Sequence, residues 1–394
     1  MKIGFDAKRA AQNRTGLGNY SRFVIRILSQ QETENEYHLY VHNPQRTPYL
    51  ADIPTLGRLK LHFPKTWLWL KFRIPWRLWG MTGDMKRNGI EIYHGLSNEL
   101  PMNIKGNGIK SVVTIHDLIF RRYPQYYNSI DRRLYDYKFH NACMEADHII
   151  AVSEFTKREI MHYYGIDAER ISVVYQGCDP AFGQEVAKEK LKDVSLRYNL
   201  PERYLLYVGT IEERKNLLLA IKALARIDER TKLVAVGRKT KYMDKLKEYI
   251  RQSGKQGLEE DVVFLHNVPF VDLPAIYHLA TTFVYPSRIE GFGIPMLEAI
   301  SAGIPAIGCT GSCLEEAGGE GSIYVAPDDD AAMAEAIKST FHDDALRKKM
   351  ITMGREYALK FSDERLCQDV INVYRKVLER GRLDILGDKI FATV

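Results

Sequence analysis

Strand-like and helical segments alternate along almost the whole chain, and this alternation limits the folds available to it. Short runs rich in β-branched and aromatic residues recur between longer segments with helical periodicity. Strands separated by helices form parallel sheets with helices on both faces. A chain of 394 residues is too long for one ordinary core. We therefore predict an α/β protein with two doubly wound, Rossmann-like domains.

The predicted elements divide the chain into two halves. The strands of the first half are Lys2–Asp6, Tyr37–Val41, Glu91–His94, Ser111–His116, His148–Val152 and Ile171–Val174. Those of the second half are Tyr204–Val208, Lys232–Val236, Val262–Leu265, Thr282–Tyr285, Ala306–Gly308 and Ile323–Val325. We predict an N-terminal domain over residues 1–180, a linker with a short helix over 181–200, a second domain over 201–365, and a helical segment over 366–394 that packs back on the first domain.

Composition excludes several classes of protein. Hydrophobic residues make up 45% and charged residues 27% of the chain, as in soluble globular proteins. No run of about 18 apolar residues predicts a transmembrane helix, and the N-terminus leads directly into a strand instead of a signal peptide. The five scattered cysteines favour reduced thiols in the cytoplasm. The net charge of +6 fits anionic substrates or a membrane surface and does not require nucleic acid as a partner.

The segment from Glu290 to Glu298 carries the strongest functional signal. It follows the predicted strand Thr282–Tyr285, contains two glycines, and leads into a helix at Pro295, a residue suited to the first turn of a helix. The free N–H groups of a helix start favour a phosphate. The flanking carboxylates can accept hydrogen bonds from hydroxyl groups on either side, which is the layout of a nucleotide sugar. In a purely structural interpretation, Glu298 lies in the first turn and stabilises the helix dipole.

These nine residues resemble the Glu-x7-Glu motif of retaining GT-B glycosyltransferases, in particular family 4. The resemblance implies a GT-B fold with ligands in the cleft between the domains. It implies that Glu290 contacts the donor sugar, as a catalytic candidate, and that Glu298 binds the ribose. The substrate-binding residues that it implies between them are Gly291, Phe292, Gly293 and Ile294.

Two loops of the first half match the same family. The Gly16–Gly18 loop between the first strand and helix resembles the family's glycine loop, which faces the donor diphosphate and the acceptor, although a simple turn is an equally good interpretation. His116 ends a predicted strand, where an α/β sheet presents its ligands. It matches a family histidine close to the outer hydroxyl of the sugar, and it is the second catalytic candidate. We expect Asp117 to cap or orient this loop, with an acid–base role as the alternative, and Ser153 to cap the next helix.

Arg214 and Lys215 form the third matching site. Adjacent cations at a helix start oppose the helix dipole unless an anion is bound there. Family 4 enzymes hold the donor pyrophosphate with an arginine and a lysine, and Lys215 matches that lysine. The family arginine often follows the glycine directly, where this chain has Thr210, and we expect Arg214 to replace it, as in similar bacterial polysaccharide mannosyltransferases. We predict no metal, because Asp328, Asp329 and Asp330 precede a helix and are explained by capping.

All four tryptophans lie in one short segment, at positions 67, 69, 76 and 79. Between Arg58 and Arg87 there are eight basic residues and one acid, Asp84. Interleaved tryptophan and basic residues are typical of elements at a membrane interface. We therefore predict a peripheral membrane contact through Trp67, Trp69, Trp76 and Trp79. The alternative is a helix that packs on the N-terminal domain with its basic side in water, and Pro75 excludes one long helix.

Together, these predictions describe a retaining, metal-independent glycosyltransferase at the cytoplasmic face of the membrane. The leading reaction moves mannose from GDP-mannose to a hydroxyl group of a glycan or lipid-linked glycan in surface polysaccharide synthesis. UDP-glucose and UDP-N-acetylglucosamine remain open as donors. An epimerase or phosphorylase on the same fold, and a non-catalytic scaffold that binds a nucleotide sugar, remain open as alternative functions.

Overall fold

The chain divides into two compact units. The computed structural model describes residues 1–391, with side chains as far as residue 380. Met1–Gln176 and the segment from Ser362 form the first unit, and Gly177–Phe361 forms the second. Each unit contains one sheet in which every paired strand is parallel to its neighbour. The prediction of two doubly wound α/β domains is therefore confirmed.

The first sheet has seven strands in the order β3-β2-β1-β4-β5-β6-β7. They are β1 Lys2–Asp6, β2 Glu36–Tyr40, β3 Lys60–His62, β4 Ile92–Gly95, β5 Lys110–Ile115, β6 His148–Ala151 and β7 Ile171–Val173. Each predicted strand appears within one residue of its expected bounds. β3 was not predicted, because it is a short edge strand whose central Leu61 is exposed.

The second sheet has six strands in the order β10-β9-β8-β11-β12-β13. They are β8 Tyr204–Val208, β9 Lys232–Val236, β10 Val262–Leu265, β11 Thr282–Tyr285, β12 Ala306–Cys309 and β13 Ile323–Val325. All residues of β11 and β12 are buried. Continuous burial is expected where helices cover both faces of a parallel sheet.

Helices connect the strands and cover the sheets. In the first part of the chain they are α1 Lys8–Gln12, α2 Gly16–Gln31, α3 Trp67–Lys71, α4 Arg73–Pro75, α5 Met81–Arg87, α6 Ile119–Arg122, α7 Ser129–Glu145 and α8 Glu154–Tyr164. From residue 188 onward they are α9 Lys188–Arg197, α10 Leu217–Arg226, α11 Tyr242–Gln252, α12 Leu258–Asp261, α13 Leu273–Leu279, α14 Ile294–Ser301, α15 Leu314–Gly318, α16 Asp330–His342, α17 Asp344–Ala358 and α18 Asp363–Phe391.

The last helix, α18, belongs to the first unit. Asp363 at its start accepts two hydrogen bonds from Arg26 on α2, at 2.6 and 3.1 Å. Further along, the hydroxyl group of Tyr374 lies 2.7 Å from Nδ1 of His94 on β4. A two-bond arginine–carboxylate pair therefore holds this helix against α2, and a buried hydroxyl–imidazole contact holds it against the first sheet.

The segment predicted as a linker lies in the second unit. Its helix α9 packs against α13, and the fully buried carboxylate of Asp272 joins the two. Asp272 accepts hydrogen bonds from Arg197 and from Tyr198, both at 2.8 Å, and pairs with Lys190. A buried carboxylate requires such partners, so α9 is fixed to this unit.

The tryptophan-rich segment has several short helical turns. A π-helical turn, Trp76–Gly80, follows α4, in agreement with the expected break near Pro75. Trp76 is fully buried and donates a hydrogen bond from Nε1 to Asp84 at 2.7 Å. The predicted membrane contact is therefore wrong for Trp76, which belongs to the core, whereas Trp67 and Trp79 are exposed. Within residues 1–391, no helix has the length and apolar character needed to cross a membrane.

Candidate active site

Two loops at the carboxyl edge of the second sheet form the main candidate site. One follows β8 and contains a 3₁₀ turn, Glu213–Lys215, and the other follows β11 and contains Glu290. Because β8 and β11 are adjacent parallel strands, their carboxyl ends lie side by side. A backbone hydrogen bond of 3.0 Å from the amide of Arg288 to the carbonyl of Arg214 joins the loops directly.

The Glu290 carboxylate is the centre of this site. Its Oε1 atom accepts hydrogen bonds from Lys215 at 3.0 Å, from Tyr285 at 3.0 Å and from Ser287 at 2.8 Å. Its Oε2 atom lies 3.0 Å from Nη1 of Arg214. The structure thus brings together the three charged residues predicted from the two loops. Most of the hydrogen-bonding capacity of this carboxylate is used within the protein.

The neighbouring cations keep Glu290 ionised. Burial alone would raise the pKa of this carboxyl group, but Arg214 and Lys215 outweigh burial and lower the pKa to about 2. Arg214 also pairs with Glu212 at 2.7 Å and donates to the carbonyl of Ile289 at 2.7 Å. The guanidinium is therefore fixed in place, and a rigid cation pair is suited to binding an anion.

The helix predicted after the glycine loop is present as α14. Its N-terminal flank is Gly293, with a φ of 106° and no room for a side chain, since a Cβ atom there would lie 2.7 Å from Leu314. Pro295 occupies the first turn, as predicted. Glu298 is the fifth residue of α14, so the interpretation that it stabilises the helix dipole from the first turn is wrong. Ile294 opens the helix.

The environment of Glu298 is unlike that of Glu290. Its Oε2 atom accepts a hydrogen bond of 2.8 Å from the hydroxyl group of Tyr277 on α13. Burial raises the pKa of Glu298 to about 7, although the Tyr277 hydrogen bond acts in the opposite direction. Near neutral pH this carboxyl group therefore exchanges between its protonated and ionised forms. A ligand that donates hydroxyl groups favours the ionised form.

The remaining residues of this loop have distinct environments. Phe292 is only 2% exposed, and its ring packs 5.5 Å from that of Phe361. Phe292 therefore anchors the loop in the core of the second unit. Gly291 is partly exposed, and the thiol of Cys313 lies 3.0 Å from the carbonyl oxygen of Glu290.

His116 directly follows β5 in the first unit. Its Nε2 atom lies 2.9 Å from the carbonyl oxygen of Leu96, so Nε2 carries the proton. Its Nδ1 atom lies 3.4 Å from Nε2, the side-chain amide nitrogen, of Gln176. Burial lowers the pKa of His116 to about 4, so the ring is neutral at physiological pH. The predicted catalytic candidate is thus a fixed, neutral imidazole whose Nδ1 atom is a hydrogen-bond acceptor.

A buried network of neutral groups supports His116. The ring of Tyr20 meets it edge-on at 4.6 Å, and the Tyr20 hydroxyl lies 3.0 Å from that of Thr114. Thr114 is in turn 2.8 Å from Nε2 of His94, which also contacts Tyr374. Burial lowers the pKa of His94 to about 3, so this network carries no charge near neutral pH.

Gly16–Gly18 form the first turn of α2, with Thr15 at the N-cap position, so the predicted glycine loop is helical. A Cβ atom at Gly18 would lie 1.8 Å from the carbonyl oxygen of Asn13, whereas one at Gly16 would meet nothing within 4 Å. Gly18 is therefore required for the close packing of α1 and α2. Gly16 has open space around it. Of the two predicted substrate-binding glycines, only Gly16 has room for a ligand beside its Cα atom.

Two of the predicted capping residues have the expected contacts. Ser153 accepts a hydrogen bond from the amide of Thr156 at 3.0 Å, and Asp329 accepts one from Ala332 at 2.8 Å. Ser153 and Asp329 are N-caps, as predicted. Capping does not explain the other two aspartates, because Asp328 pairs with Arg288 and Asp330 is the first residue of α16. In the part of the chain that the structure describes, no group of three or more histidine, cysteine or acidic residues is arranged to hold a metal ion.

Several residues of the site were not predicted. Tyr285 and Ser287 bind Glu290, and the position of Tyr285 as the last residue of a strand is a signal that sequence analysis could have used. Tyr277 comes from another helix, and no sequence pattern connects it to Glu298. At Gly237 a Cβ atom would lie 1.9 Å from the carbonyl oxygen of Gly209, so this glycine allows the loops after β8 and β9 to approach each other.

Comparisons with known families agree with this geometry. Residues 19–182 match the family model described as Glycosyltransferase Family 4. Residues 188–357 match the model described as Glycosyl transferases group 1. The two matches fall in the two halves of the chain.

Two similar proteins are O-antigen chain mannosyltransferases. Mannosyltransferase B of Escherichia coli is 28% identical over 394 residues, which cover 95% of this chain and 100% of that protein. RfbU of Salmonella typhimurium is 31% identical over 228 residues, which cover 58% of this chain and 60% of that protein. The first similarity therefore extends over both units, and the second over little more than half of the chain.

Solved glycosyltransferase structures share the fold. A glycosyltransferase from Rickettsia africae superposes with a TM-score of 0.74 at 17% identity, covering 96% of this chain and 98% of that one. Anabaena HepE, solved in complex with UDP and glucose, superposes with a TM-score of 0.73 at 16% identity, covering 95% and 100%. At these identities the similarity shows the fold, which is GT-B.

Proposed function

The chain belongs to the group 1 glycosyltransferases, with a family 4 domain in its first half, and we propose that it transfers mannose from GDP-mannose to a hydroxyl group of a glycan. The choice of sugar is supported by the similarity to the O-antigen chain mannosyltransferases, one of which matches nearly the whole chain. The acceptor that we propose is a glycan of a surface polysaccharide, carried on a lipid at the cytoplasmic face of the membrane.

The contact of Arg214 and Lys215 with one carboxylate is the observation that carries this proposal. The two cations converge within 3.0 Å of Glu290, beside the N-terminus of α14. A nucleoside diphosphate leaves with negative charge on its phosphates, and fixed cations stabilise such a charge without reorganising. Free amide groups at a helix start add to this stabilisation. We propose that Arg214, Lys215 and the amides of Gly293 and Ile294 bind the diphosphate.

The roles of the acidic residues and His116 follow from their protonation. Glu290, held ionised by its cations, fixes the positions of Arg214 and Lys215, and we propose that it also contacts the donor sugar. Glu298 accepts hydrogen bonds from the ribose hydroxyls in its ionised form. His116 is neutral and protonated on Nε2, so we propose that a sugar hydroxyl replaces the side-chain amide of Gln176 as the hydrogen-bond donor to its Nδ1 atom.

We also propose that the transfer retains the configuration at the anomeric carbon and needs no divalent metal. Two protein cations supply the charge that a metal ion supplies in other glycosyltransferases. Activity should therefore be unchanged in excess EDTA. The anomeric configuration of the product, measured by NMR coupling constants, should match that of the donor.

A donor panel tests the proposal. The purified full chain is incubated with GDP-mannose, UDP-glucose or UDP-N-acetylglucosamine and a panel of mannose-containing oligosaccharides carried on a lipid. Nucleotide release and product mass are measured together. We expect GDP release and a mass gain of one hexose with GDP-mannose alone. Transfer from a UDP-sugar would reassign the donor.

The same panel separates an enzyme from a scaffold. Calorimetric binding of GDP-mannose without turnover, across acceptors that a related mannosyltransferase elongates in parallel, would favour a non-catalytic subunit that binds a nucleotide sugar. Activity with free phosphate and a glycan would instead indicate a phosphorylase.

A further inference from the structure

The tryptophan-rich segment exposes large apolar side chains that folded proteins usually bury. Trp67 is 73% exposed, Ile74 67%, Trp79 49% and Phe72 45%. The ammonium group of Lys71 lies 5.4 Å from the ring centre of Trp67. Trp76 and Trp69 hold the segment from below, because both rings close around Gly80, where a Cβ atom would lie 2.7 Å from Trp69. The exposed side chains therefore belong to a segment that the packing of Trp69 and Trp76 fixes in place.

A second exposed apolar strip lies on α7. Ile130 is 78% exposed, Tyr137 60% and Leu134 46%. Residues spaced by four and three positions share one face of a helix. The opposite face of α7 is packed, with Phe139 against Phe120 and with Ala142 and Cys143 buried. The strip is thus a second apolar face of a helix whose first apolar face already covers the core.

The loop of residues 96–104 connects the two exposed regions. Asn103 donates a hydrogen bond of 3.0 Å to the carbonyl of Trp79 on one side. On the other side, the amide of Asn141 on α7 contacts the sulfur of Met102 at 3.7 Å. Arg77 and Lys138 form ion pairs with Glu99 from opposite sides of this loop. The tryptophan-rich segment and α7 therefore flank the same loop.

This surface borders the carboxyl edge of the first sheet. Arg77, between Trp76 and Trp79, forms a buried ion pair with Asp6, the last residue of β1. The loop of residues 96–104 directly follows β4, and its Leu96 carbonyl binds His116 at the end of β5. A sheet of this type binds its ligands along that edge. Whatever covers the exposed apolar surface therefore lies next to the ligand-binding edge of the first unit.

The charge of residues 58–87 favours an anionic partner, whereas α7 has equal numbers of acidic and basic residues. Residues 58–87 contain eight basic residues and one acid, and that acid, Asp84, is occupied by Trp76 and Arg87. Lys65, Lys71 and Arg133 are exposed beside the apolar groups. A second copy of this chain would bring the same positive charge, which opposes self-association. Aromatic and basic side chains together suit a negatively charged lipid surface.

We propose that Trp67, Phe72, Ile74, Trp79, Ile130 and Tyr137 form a docking face for the surface of an anionic lipid bilayer. The apolar side chains enter the headgroup region, and the neighbouring lysine and arginine residues pair with lipid phosphates. α7 is a full part of this face, and Trp76 only supports it. The docking face presents the carboxyl edge of the first sheet to molecules anchored in the bilayer. It does not depend on the identity of the donor.

Vesicle binding by the full chain tests this proposal. Flotation compares vesicles of equal parts phosphatidylglycerol and phosphatidylcholine with vesicles of phosphatidylcholine alone. We expect binding to the anionic vesicles only, and weaker binding at high salt. The pairs Trp67→Ser with Trp79→Ser, and Ile130→Ser with Tyr137→Ser, should each lower the partition coefficient about tenfold, because each removes apolar area from the contact.

The control pair is Leu196→Ser with Val271→Ser in the second unit, where both residues are at least 70% exposed. It should bind vesicles like the unmodified chain. Circular dichroism and GDP binding, unchanged in every variant, would exclude unfolding and separate this result from the donor site. Absent or charge-independent binding of the unmodified chain would overturn the proposal, as would wild-type binding by either docking-face pair. A dimer that these substitutions dissociate would assign the face to a second copy instead.

Discussion

Glu290, at the loop end of the Glu290–Glu298 segment, and Glu298, at its helix end, have environments that shift the pKa of the carboxyl group in opposite directions. Glu290 is surrounded by cations and hydroxyl donors, which lower its pKa to about 2. Glu298 has one hydroxyl donor, and burial raises its pKa to about 7. The two residues look equivalent in the sequence. The difference teaches that Glu290 is a permanent anion that organises cations, whereas the charge of Glu298 depends on what binds to it.

The largest expected effect is at the loop end. Glu290→Ala removes the carboxylate that fixes Arg214 and Lys215, and we expect kcat/KM to fall on the order of a thousandfold. Leaving two partly buried cations without this partner should also lower the free energy of unfolding by about 3 kcal/mol. Steady-state kinetics and thermal unfolding measure the two effects. Glu213→Ala, an exposed acid in the neighbouring turn, is the control and should change neither quantity.

If Glu290→Ala remained as active as the Glu213→Ala control, Glu290 would not organise the site, and its contrast with Glu298 would have no functional meaning. Glu290→Gln refines the test, because it keeps the shape and the hydrogen-bond acceptor but removes the charge. Its activity should lie between those of the unmodified chain and Glu290→Ala.

The next effect concerns one cation of the pair. Lys215→Ala should lower kcat/KM about a hundredfold, since it removes a fixed charge from the leaving diphosphate. Calorimetry should show weaker GDP binding. Lys245→Ala is the matched control, because Lys245 is 68% exposed and pairs only loosely with Glu213, at 3.8 Å. Equal GDP affinity in the two variants would contradict the proposed diphosphate site.

Sequence reasoning predicted the framework well because both sheets are regular and buried. Alternating strand and helix signals located the predicted strands within one residue. Only the short, exposed strand at Lys60–His62 was not predicted, since two of its three residues are polar. The cation pair and Glu290 were found because residue type, helix start and strand end agreed at the same positions.

The sequence did not predict how the two glutamates differ. That difference depends on Tyr285 and Ser287 beside Glu290 and on Tyr277 beside Glu298, and these contacts exist only once helices and strands have packed. The same reason explains Gly18, whose missing side chain makes room for the Asn13 carbonyl, and Phe292, which is buried against Phe361. Burial also decides that Trp76 belongs to the core although Trp79, three residues later, is exposed.

At the helix end, donor binding should depend on pH. The proposed hydrogen bonds from the ribose hydroxyls to Glu298 would favour its ionised form, so binding should release a proton wherever the free group is protonated. With a pKa of about 7 in the free protein, affinity for GDP-mannose should rise about tenfold from pH 6 to pH 8. Calorimetry in buffers of different ionisation enthalpy measures the released proton. Glu298→Gln should abolish the dependence, and an unchanged pH profile in that variant would exclude Glu298 as its source.

The smallest expected effect is on stability, and its sign separates the two glutamates. The pKa of Glu298 is raised from 4.5 to about 7 by folding, so its contribution to stability is greatest below pH 4.5 and is lost as the pH rises towards 7. The pKa of Glu290 is lowered from 4.5 to about 2, so its contribution is present above pH 4.5 and is lost towards pH 2. Glu298→Gln should therefore stabilise the protein at pH 8, by on the order of 1 kcal/mol because the group is only partly buried. The gain should be smaller at pH 5, where the native carboxyl group is already protonated. Denaturant unfolding at both pH values measures this difference, with the exposed Glu315→Gln as the control. Destabilisation of the protein by Glu298→Gln at pH 8 would mean that Tyr277 and its surroundings stabilise the charged form, and the contrast between the two ends of the segment would be lost.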